Sequence, residues 1–583
     1  MSRAGLYWET LRHLKPSQLA WQLLRRASPL PAHRPVGAEA VRDGVRPRPF
    51  ARPVVPAVGA AEISFLNRAR PLDPDAMDWA SRDAPKLWRY NLHYFDYLHW
   101  PVYPAAAKAR LIDSWIAGHP APAGDGWEPY PLSLRAVNWI RWWLTEPASQ
   151  PVPTAWRDSL ATQLAGLETR LEYHLLANHL VKNGKALLFG GLFFNGPRAD
   201  RWRELGLRIL VREAGEQLLP DGGHYERSPM YHCIVLEDYL DAVNLLRACP
   251  GVVPAAAEAT LVAAATRALG FLAGITAGDG RIPLFNDSAF GIAPEPDELL
   301  AYGERLGIAP VGAASAATPF PPESSPRVSG GKGVAAEAAP TRIEFPNTGY
   351  YGYRHAGESL IVDCGPVGPD YQPGHAHCDT LSFELCVAGR RVVVDTGVWG
   401  YEADELRDYV RRTASHNTVA LDGAEQSGIW GAFRVARRAR PLSPTLQAGP
   451  DGSLEFRGAH DGYRRLPDQP VHSRRIRMQR GGPWEVFDLI SGAGGGTHRA
   501  LGYLHLGPDL EVTAEGPGTF LLRHPAAGLL LRVSVTGGSQ TRLESGYHFP
   551  EFGLRRDNKI IIIEREDKLP LEMHYRIERL QTP

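Results

Sequence analysis

Cysteine is scarce in this chain of 583 residues: there are five (Cys233, Cys249, Cys364, Cys378, Cys386), an odd number with no CxxC pair. That pattern indicates neither a disulfide framework nor a cysteine zinc knuckle. Charge of one sign is lacking too, because 64 basic residues balance 64 acidic ones. No global field therefore points to nucleic acid or a membrane surface as partner, although local patches can bind an anion. No stretch reaches the roughly 18 consecutive apolar residues of a membrane-spanning helix. The first residues, MSRAGLYWETLRHLKPSQLAWQLLRRASPL, scatter Arg, Glu, His and Lys among Leu and Trp at helical spacing, which leaves no apolar signal-peptide core. The expectation is a soluble chain with no membrane span and no nucleic acid partner, cytoplasmic by default.

What is present divides into two textures, as a length beyond one core's usual reach requires. Residues 1–73 combine a helical start with a Pro- and Arg-rich extended arm. Residues 74–307 repeat apolar positions at three and four spacing, joined by short Pro/Gly turns, which predicts a layer of helices arranged as a toroid or solenoid. Residues 308–340 are small, Pro-, Ser- and Gly-rich and aperiodic, as expected of a linker. From 341 to 583 short β-branched runs alternate with Gly, Asp and Pro turns, predicting an antiparallel sheet domain, a sandwich.

Within the β-rich half, GHAHCDTLSFELCVAGRRVVVDTGVWGYEADELRDYVRRTASHNTV gathers His375, His377, Asp395 and His416 around strand-like runs. Imidazole and carboxylate are ligand types that borderline metals prefer, and they also serve acid/base chemistry. Pro373 and Gly374 predict a turn before the histidine pair, so that one ring can join Asp395 and His416 around a metal while the other faces a substrate.

Three motifs stand out in the helical half. In LLANHLVKNGKALLF, Asn178, Lys182 and Lys185 share a helix face with His179 about 100° round, which makes either a buried network or a pocket wall. DGGHYERSPMYH places Tyr231 and His232 in the first turn of a helix opened by Ser228 and Pro229, where anions are favoured. WEPYPLSLRAVNWIRWW sets Arg135 among aromatics suited to stacking a sugar ring and pairing a carboxylate.

Taken together, RYNLHYFDYL, EPYPLSLRAVNWI, ANHLVKNGKAL, DGGHYERSPMYH, GHAHCDTLSFEL, VVVDTGVWGY and ASHNTV resemble the heparinase II/III-like family of polysaccharide lyases, which includes heparin, heparan and some alginate lyases. The resemblance implies an α+β multidomain chain, an N-terminal (α/α) toroid followed by a C-terminal antiparallel β-sandwich, with the cleft between them. It implies β-elimination on an acidic, uronate-containing polysaccharide: a glycosaminoglycan, an alginate or an exopolysaccharide. Removing the C5 proton requires the neighbouring carboxylate's charge to be offset, and the resemblance gives that role to Asn178 and His179. It makes Tyr231 the acid toward the departing O4, and also the base when both groups lie on one side of the ring. It makes His375 the base or a second neutraliser, with Tyr401 and Tyr409 as further catalytic candidates. Arg135, Arg227 and His232 are the substrate-binding candidates, the last two as cations that lower the tyrosine pKa. His377, Asp395 and His416 are implied to hold a structural zinc. Relatives are often periplasmic or secreted. The alternatives are a uronyl C5-epimerase on the same scaffold, a non-catalytic polysaccharide-binding protein of exopolysaccharide assembly, and a metal-dependent hydrolase, which lacks an obvious general-base carboxylate.

Overall fold

Apolar residues at helical spacing fold as helices wherever a proline or a capping side chain opens them, and this chain uses proline for most starts. The structure, a computed structural model, describes residues 3–27, 35–119, 124–145, 151–311 and 341–581. Two helices come first, α1 (Arg3–Leu11) and α2 (Pro16–Ala27). The helical half follows as α3 (Lys86–Tyr94), α4 (Ala105–Gly118), α5 (Pro129–Thr145), α6 (Thr154–Glu168), α7 (Ala177–Phe193), α8 (Pro197–Gln217), α9 (Pro229–Arg247), α10 (Ala255–Ile275) and α11 (Pro296–Arg305). One continuous core of Leu, Trp, Tyr and Ala side chains joins them. α10 is long and apolar enough to cross a membrane by composition, but its Leu261, Ala265, Leu269 and Leu272 are buried in that core, as in a core helix of a globular fold.

α7 sits centrally, against α5, α6, α8 and α9. Its pairing with α8 depends on glycine. A Cβ added at Gly191 would lie 2.3 Å from the Arg203 backbone nitrogen, and one at Gly206 would lie 2.5 Å from that of Leu188. Only the absence of a side chain lets the two backbones touch. Since Gly184 faces Gly206 and Gly191 faces Ala199, the helices run antiparallel. Toward α9 the contact is ionic: Lys182 Nζ meets Asp238 at 2.7 Å and Lys185 Nζ meets Asp241 at 2.6 Å, all four buried. A helix held in this way by backbone contact and satisfied buried charge presents its N-terminal turn, Asn178 and His179, as a fixed edge.

The described part of the Pro/Arg-rich stretch, expected as an extended arm, is docked on the helices. Val36 and Ala38 donate backbone N–H bonds to Thr162 and Asp158, at 3.1 and 2.8 Å, and Val45, Phe50 and Ala51 are buried. Most of the expected linker, residues 312–340, lies outside the described residues.

Beyond it the chain is antiparallel sheet. A five-stranded meander runs Thr341–Phe345, Tyr350–His355, Glu358–Asp363, Phe383–Val387, Arg390–Val393 in sequence order. An eight-stranded sheet and a four-stranded sheet complete the half, and their inner faces share one core with the meander. A separate small cluster fuses the two halves. Phe271, Ile275 and Phe285 from the end of α10 and the loop after it pack on Ile343, Tyr350 and Ile361 of the meander. That loop, running on to α11, is consequently clamped between helices and sheet.

Candidate active site

Three short segments meet at this clamp: the start of α9, the loop through Asn286, Asp287 and Ser288, and the turn carrying His375 and His377. Ser228 caps α9, its Oγ accepting from Tyr231 N at 3.2 Å, with Pro229 in the first turn. The same Oγ donates to Asp287 O at 2.7 Å, and Met230 N donates to Ser288 Oγ at 3.2 Å. Asn286 adopts φ 56°, which a short amide side chain tolerates. In that conformation its Nδ2 donates to Arg227 O and its Oδ1 accepts from His377 N, both at 3.0 Å. Asn286 thereby stitches helix start to histidine turn.

Asp287 is the hub. Its carboxylate accepts from His375 Nδ1 at 2.9 Å and from His377 Nε2 at 2.8 Å, and it takes both terminal nitrogens of the Arg407 guanidinium. Arg407 belongs to α12 (Glu405–Arg411), capped by Asp404. Burial pushes the Asp287 carboxyl up, but Arg407 and the two imidazole donors outweigh it and hold it well below the usual carboxylate range. With Nδ1–H committed to Asp287, His375 presents Nε2 as its free lone pair.

The His375 ring stacks on Tyr231, centroids 3.9 Å apart and planes at 28°. The Tyr231 hydroxyl is 3.0 Å from that of Tyr401, and Arg407 lies over the Tyr401 ring at 5.1 Å. Burial and the neighbouring Tyr401 push the Tyr231 phenol well above its ordinary pKa, so it carries its proton. Phe433, 43% exposed, stands edge-on to His375 and Tyr401 and offers an apolar ring at the rim.

Across from these lies the edge of α7. Asn178 Nδ2 donates to Glu226 at 3.2 Å, and its Oδ1 is buried without a partner. His179 Nδ1 bonds Glu172 at 3.1 Å, and its ring lies 4.4 Å from that of Tyr130. Burial lowers the His179 pKa, but the Glu172 carboxylate more than reverses this and raises it above the ordinary value. Burial also pushes Glu226 up, toward its neutral, hydrogen-donating form. Along the polar stripe Lys182 and Lys185 form a buried network, while Asn178 and His179 pair with Glu226 and Glu172 at the helix start.

Three expected substrate contacts are placed elsewhere. Arg135 is fully buried, lies over Trp115 at 3.9 Å and donates to Gln163 at 2.8 Å, which makes it a core residue of α5. The Arg227 guanidinium is spent on the carbonyls of Thr348, Tyr225 and Asn347, joining the two halves. His232 turns away to Ala268 O at 3.0 Å, and burial lowers its pKa to about 4, so it supplies no cation to Tyr231. Tyr409 packs its ring near Tyr547, 6.0 Å away, rather than with the Tyr231–Tyr401 pair.

The metal candidates change in one member. His377 Nδ1 and His416 Nε2 are buried without partners, and with Asp379 they form a group whose ligand atoms all lie within 4.8 Å of one another. Asp395 stands behind, accepting from His416 Nδ1 at 2.8 Å as Asp287 does from His377. Two orphaned imidazole nitrogens beside a carboxylate, each ring fixed by a second carboxylate, fit a cation with outer-shell support. Asp379, not Asp395, is the carboxylate of that group.

The sequence motifs point to the histidines and Tyr231, which the structure brings together, and not to Asp287, Arg407, Glu226, Tyr130 and Asp379 around them. CDT beside the histidine pair, and the NDS turn, were the available signals.

Residues 338–574 match the family model described as heparinase II/III-like, C-terminal, and residues 148–293 match that described as heparinase II/III N-terminus. A heparin-sulfate lyase of Pedobacter heparinus is 28% identical over 262 residues, 42% of this chain and 36% of that protein. One from Bacteroides stercoris is 25% identical over 263 residues, again only 36% of its length, so the aligned stretch spans about a third of these relatives. FtsZ-localized protein C of Caulobacter vibrioides is 24% identical over 547 residues, 89% of this chain and 83% of that protein. Among solved structures, the crystal structure of heparinase III superposes with a TM-score of 0.65 at 18% identity, covering 87% of this chain and 80% of that one. At that identity the likeness is one of fold.

Proposed function

The chain belongs to the heparinase II/III-like family, and from that premise we propose that it is a polysaccharide lyase cleaving uronate-containing chains by β-elimination. The observation that carries the reading is the stacked Tyr231–His375 pair with Asp287 on His375 Nδ1. A neutral imidazole whose Nδ1–H is held by a carboxylate is a base at Nε2, and a phenol that keeps its proton is an acid. In this reading His375 Nε2 takes the C5 proton and the C5 electron pair forms the C4–C5 double bond. The C4–O4 bond breaks, and Tyr231 protonates O4. Tyr401 supports the Tyr231 hydroxyl. Asn178, the protonated His179 and a neutral Glu226 donate to the uronate carboxylate as charge builds on it. Phe433 stacks a sugar ring at the rim.

His377, Asp379 and His416 would hold a divalent ion, zinc by donor type. Such an ion would supply cohesion to the folded state rather than chemistry on the substrate, since His377 already shares Asp287 with His375.

The test is incubation with a panel of uronate polysaccharides, read by the ultraviolet absorbance of the unsaturated product and by mass. Products with the added double bond are expected from at least one acidic polymer. Epimerisation without absorbance would give the C5-epimerase. The second reading is a non-catalytic polysaccharide-binding protein. Binding to an acidic polymer without turnover would select it.

A further inference from the structure

Seven of the eleven exposed large hydrophobic residues among the described residues lie on α1 and α2: Tyr7, Trp8, Leu11, Leu19, Trp21, Leu23 and Leu24. Such a concentration is foreign to an ordinary soluble surface. The helix α2 is inverted. Successive residues are about 100° apart, so Pro16, Leu19, Ala20, Leu23, Leu24 and Ala27 fall on one side, and every one of them is exposed. The opposite side, Gln18, Trp21, Gln22 and Arg25, is mostly polar and faces the protein. Gln18, only 2% exposed, donates to Tyr371 O, and Arg25 bonds His174. On α1, Tyr7, Trp8 and Leu11 form a second outward stripe, with Trp8 67% exposed.

A helix that spends its polar side on its own protein and turns its apolar side outward is already docked, so the outward side is a surface for something else. Charge says what. Residues 3–27 carry Arg3, Arg12, Lys15, Arg25 and Arg26 against a single acid, Glu9, in a chain whose total charge is zero. Arg3 and Arg26 are exposed beside the apolar stripes. Tryptophan and leucine flanked by arginine, on helices lying flat against a globular body, suit the boundary between anionic headgroups and acyl chains.

We infer that α1 and α2 form an interfacial docking surface for an anionic phospholipid bilayer, with Trp8, Leu19, Leu23 and Leu24 entering the headgroup boundary and Arg3 and Arg26 pairing lipid phosphates. The helices lie on the surface and do not span it. They rest on both halves of the chain. Tyr7 meets Trp430 edge-on at 4.9 Å on the sheet side, and Trp21 stacks on Tyr173 at 5.1 Å on the helical side. Docking therefore holds both halves at a membrane.

The test uses the full chain and sedimentation with vesicles of phosphatidylcholine alone or mixed with phosphatidylglycerol. Co-sedimentation with the mixed vesicles and much weaker binding to neutral ones is expected. The variant Trp8→Ser/Leu23→Ser/Leu24→Ser should lose binding at least tenfold with an unchanged melting temperature, because these side chains touch no core. Arg3→Gln/Arg26→Gln should weaken binding to anionic vesicles about fivefold per charge and leave the neutral background unchanged. Absence of wild-type sedimentation with anionic vesicles overturns the proposal, as does full binding by the triple variant. A concentration-dependent dimer abolished by the same triple variant, without lipid binding, would assign the surface to a second copy and would equally overturn it.

Discussion

The rings of Tyr231 and His375 lie 3.9 Å apart although one opens a helix of the N-terminal half and the other sits in a turn of the sheet half. Their contact exists because the Asn286–Ser288 loop bonds both segments, so the proposed acid and base are positioned by a third, intervening piece of chain.

Tyr231→Phe removes only an oxygen whose partner is the Tyr401 hydroxyl. Turnover on an acidic polysaccharide should fall by about 10²–10⁴, with a melting temperature close to wild type. Retention of more than a tenth of the absorbance rate would remove Tyr231 from the reaction.

Asp287→Asn leaves Arg407 without its carboxylate partner and sets a donor NH2 against one of the two histidines in place of its acceptor oxygen. Breaking a buried pair of this kind costs about 3–5 kcal/mol, readable as a shift in the urea midpoint at constant slope, and activity should vanish. A loss under about 1 kcal/mol would mean that the hub is dispensable.

His179 gives a pH signature. Its pKa is raised above the ordinary value, so its charged form, and the stabilisation from Glu172, are fully present below about pH 6.5 and lost as pH rises through the folded value. Turnover should decline along that same alkaline limb, and His179→Gln should flatten the limb while lowering the plateau. An identical limb in the variant would transfer the titration to another group.

Chelation and His416→Ala should lower the melting temperature alike, since an ion bound only by the folded state stabilises it. Elemental analysis should show a larger metal loss in Asp379→Ala than in Asp395→Ala, where an outer partner costs about 10–100-fold in affinity. The reverse order would restore Asp395 to the inner shell. Equal metal-free preparations of wild type and both variants would end the metal assignment.

The two textures, the strands Phe383–Val387 and Arg390–Val393 and the helix starting at Pro229 were legible because periodicity and capping are local signals. His375 and His377 were legible as a pair entered by a turn, since proline and glycine precede them, but not as two rings that meet on one carboxylate, Asp287. Asp287 was not, because its importance comes from His375, His377 and Arg407 converging on it from distant parts of the chain. Arg135 misled for the same reason: an arginine among tryptophans reads alike whether the stack faces a sugar or the core, and only burial separates the two. Asp379 and Asp395 lie in the loops before and after the strands Phe383–Val387 and Arg390–Val393, and their order around His416 depends on backbone turns that no spacing encodes.

One carboxylate serves both His375 and His377, and that arrangement makes genetics at the site interdependent. Replacing either ring leaves the other on its own oxygen of Asp287 but removes one of the donors that hold the shared carboxylate charged. The pair of substitutions should then cost less than the sum of its parts, and a double-mutant cycle would read the Asp287 bridge as a coupling energy rather than as two separate losses.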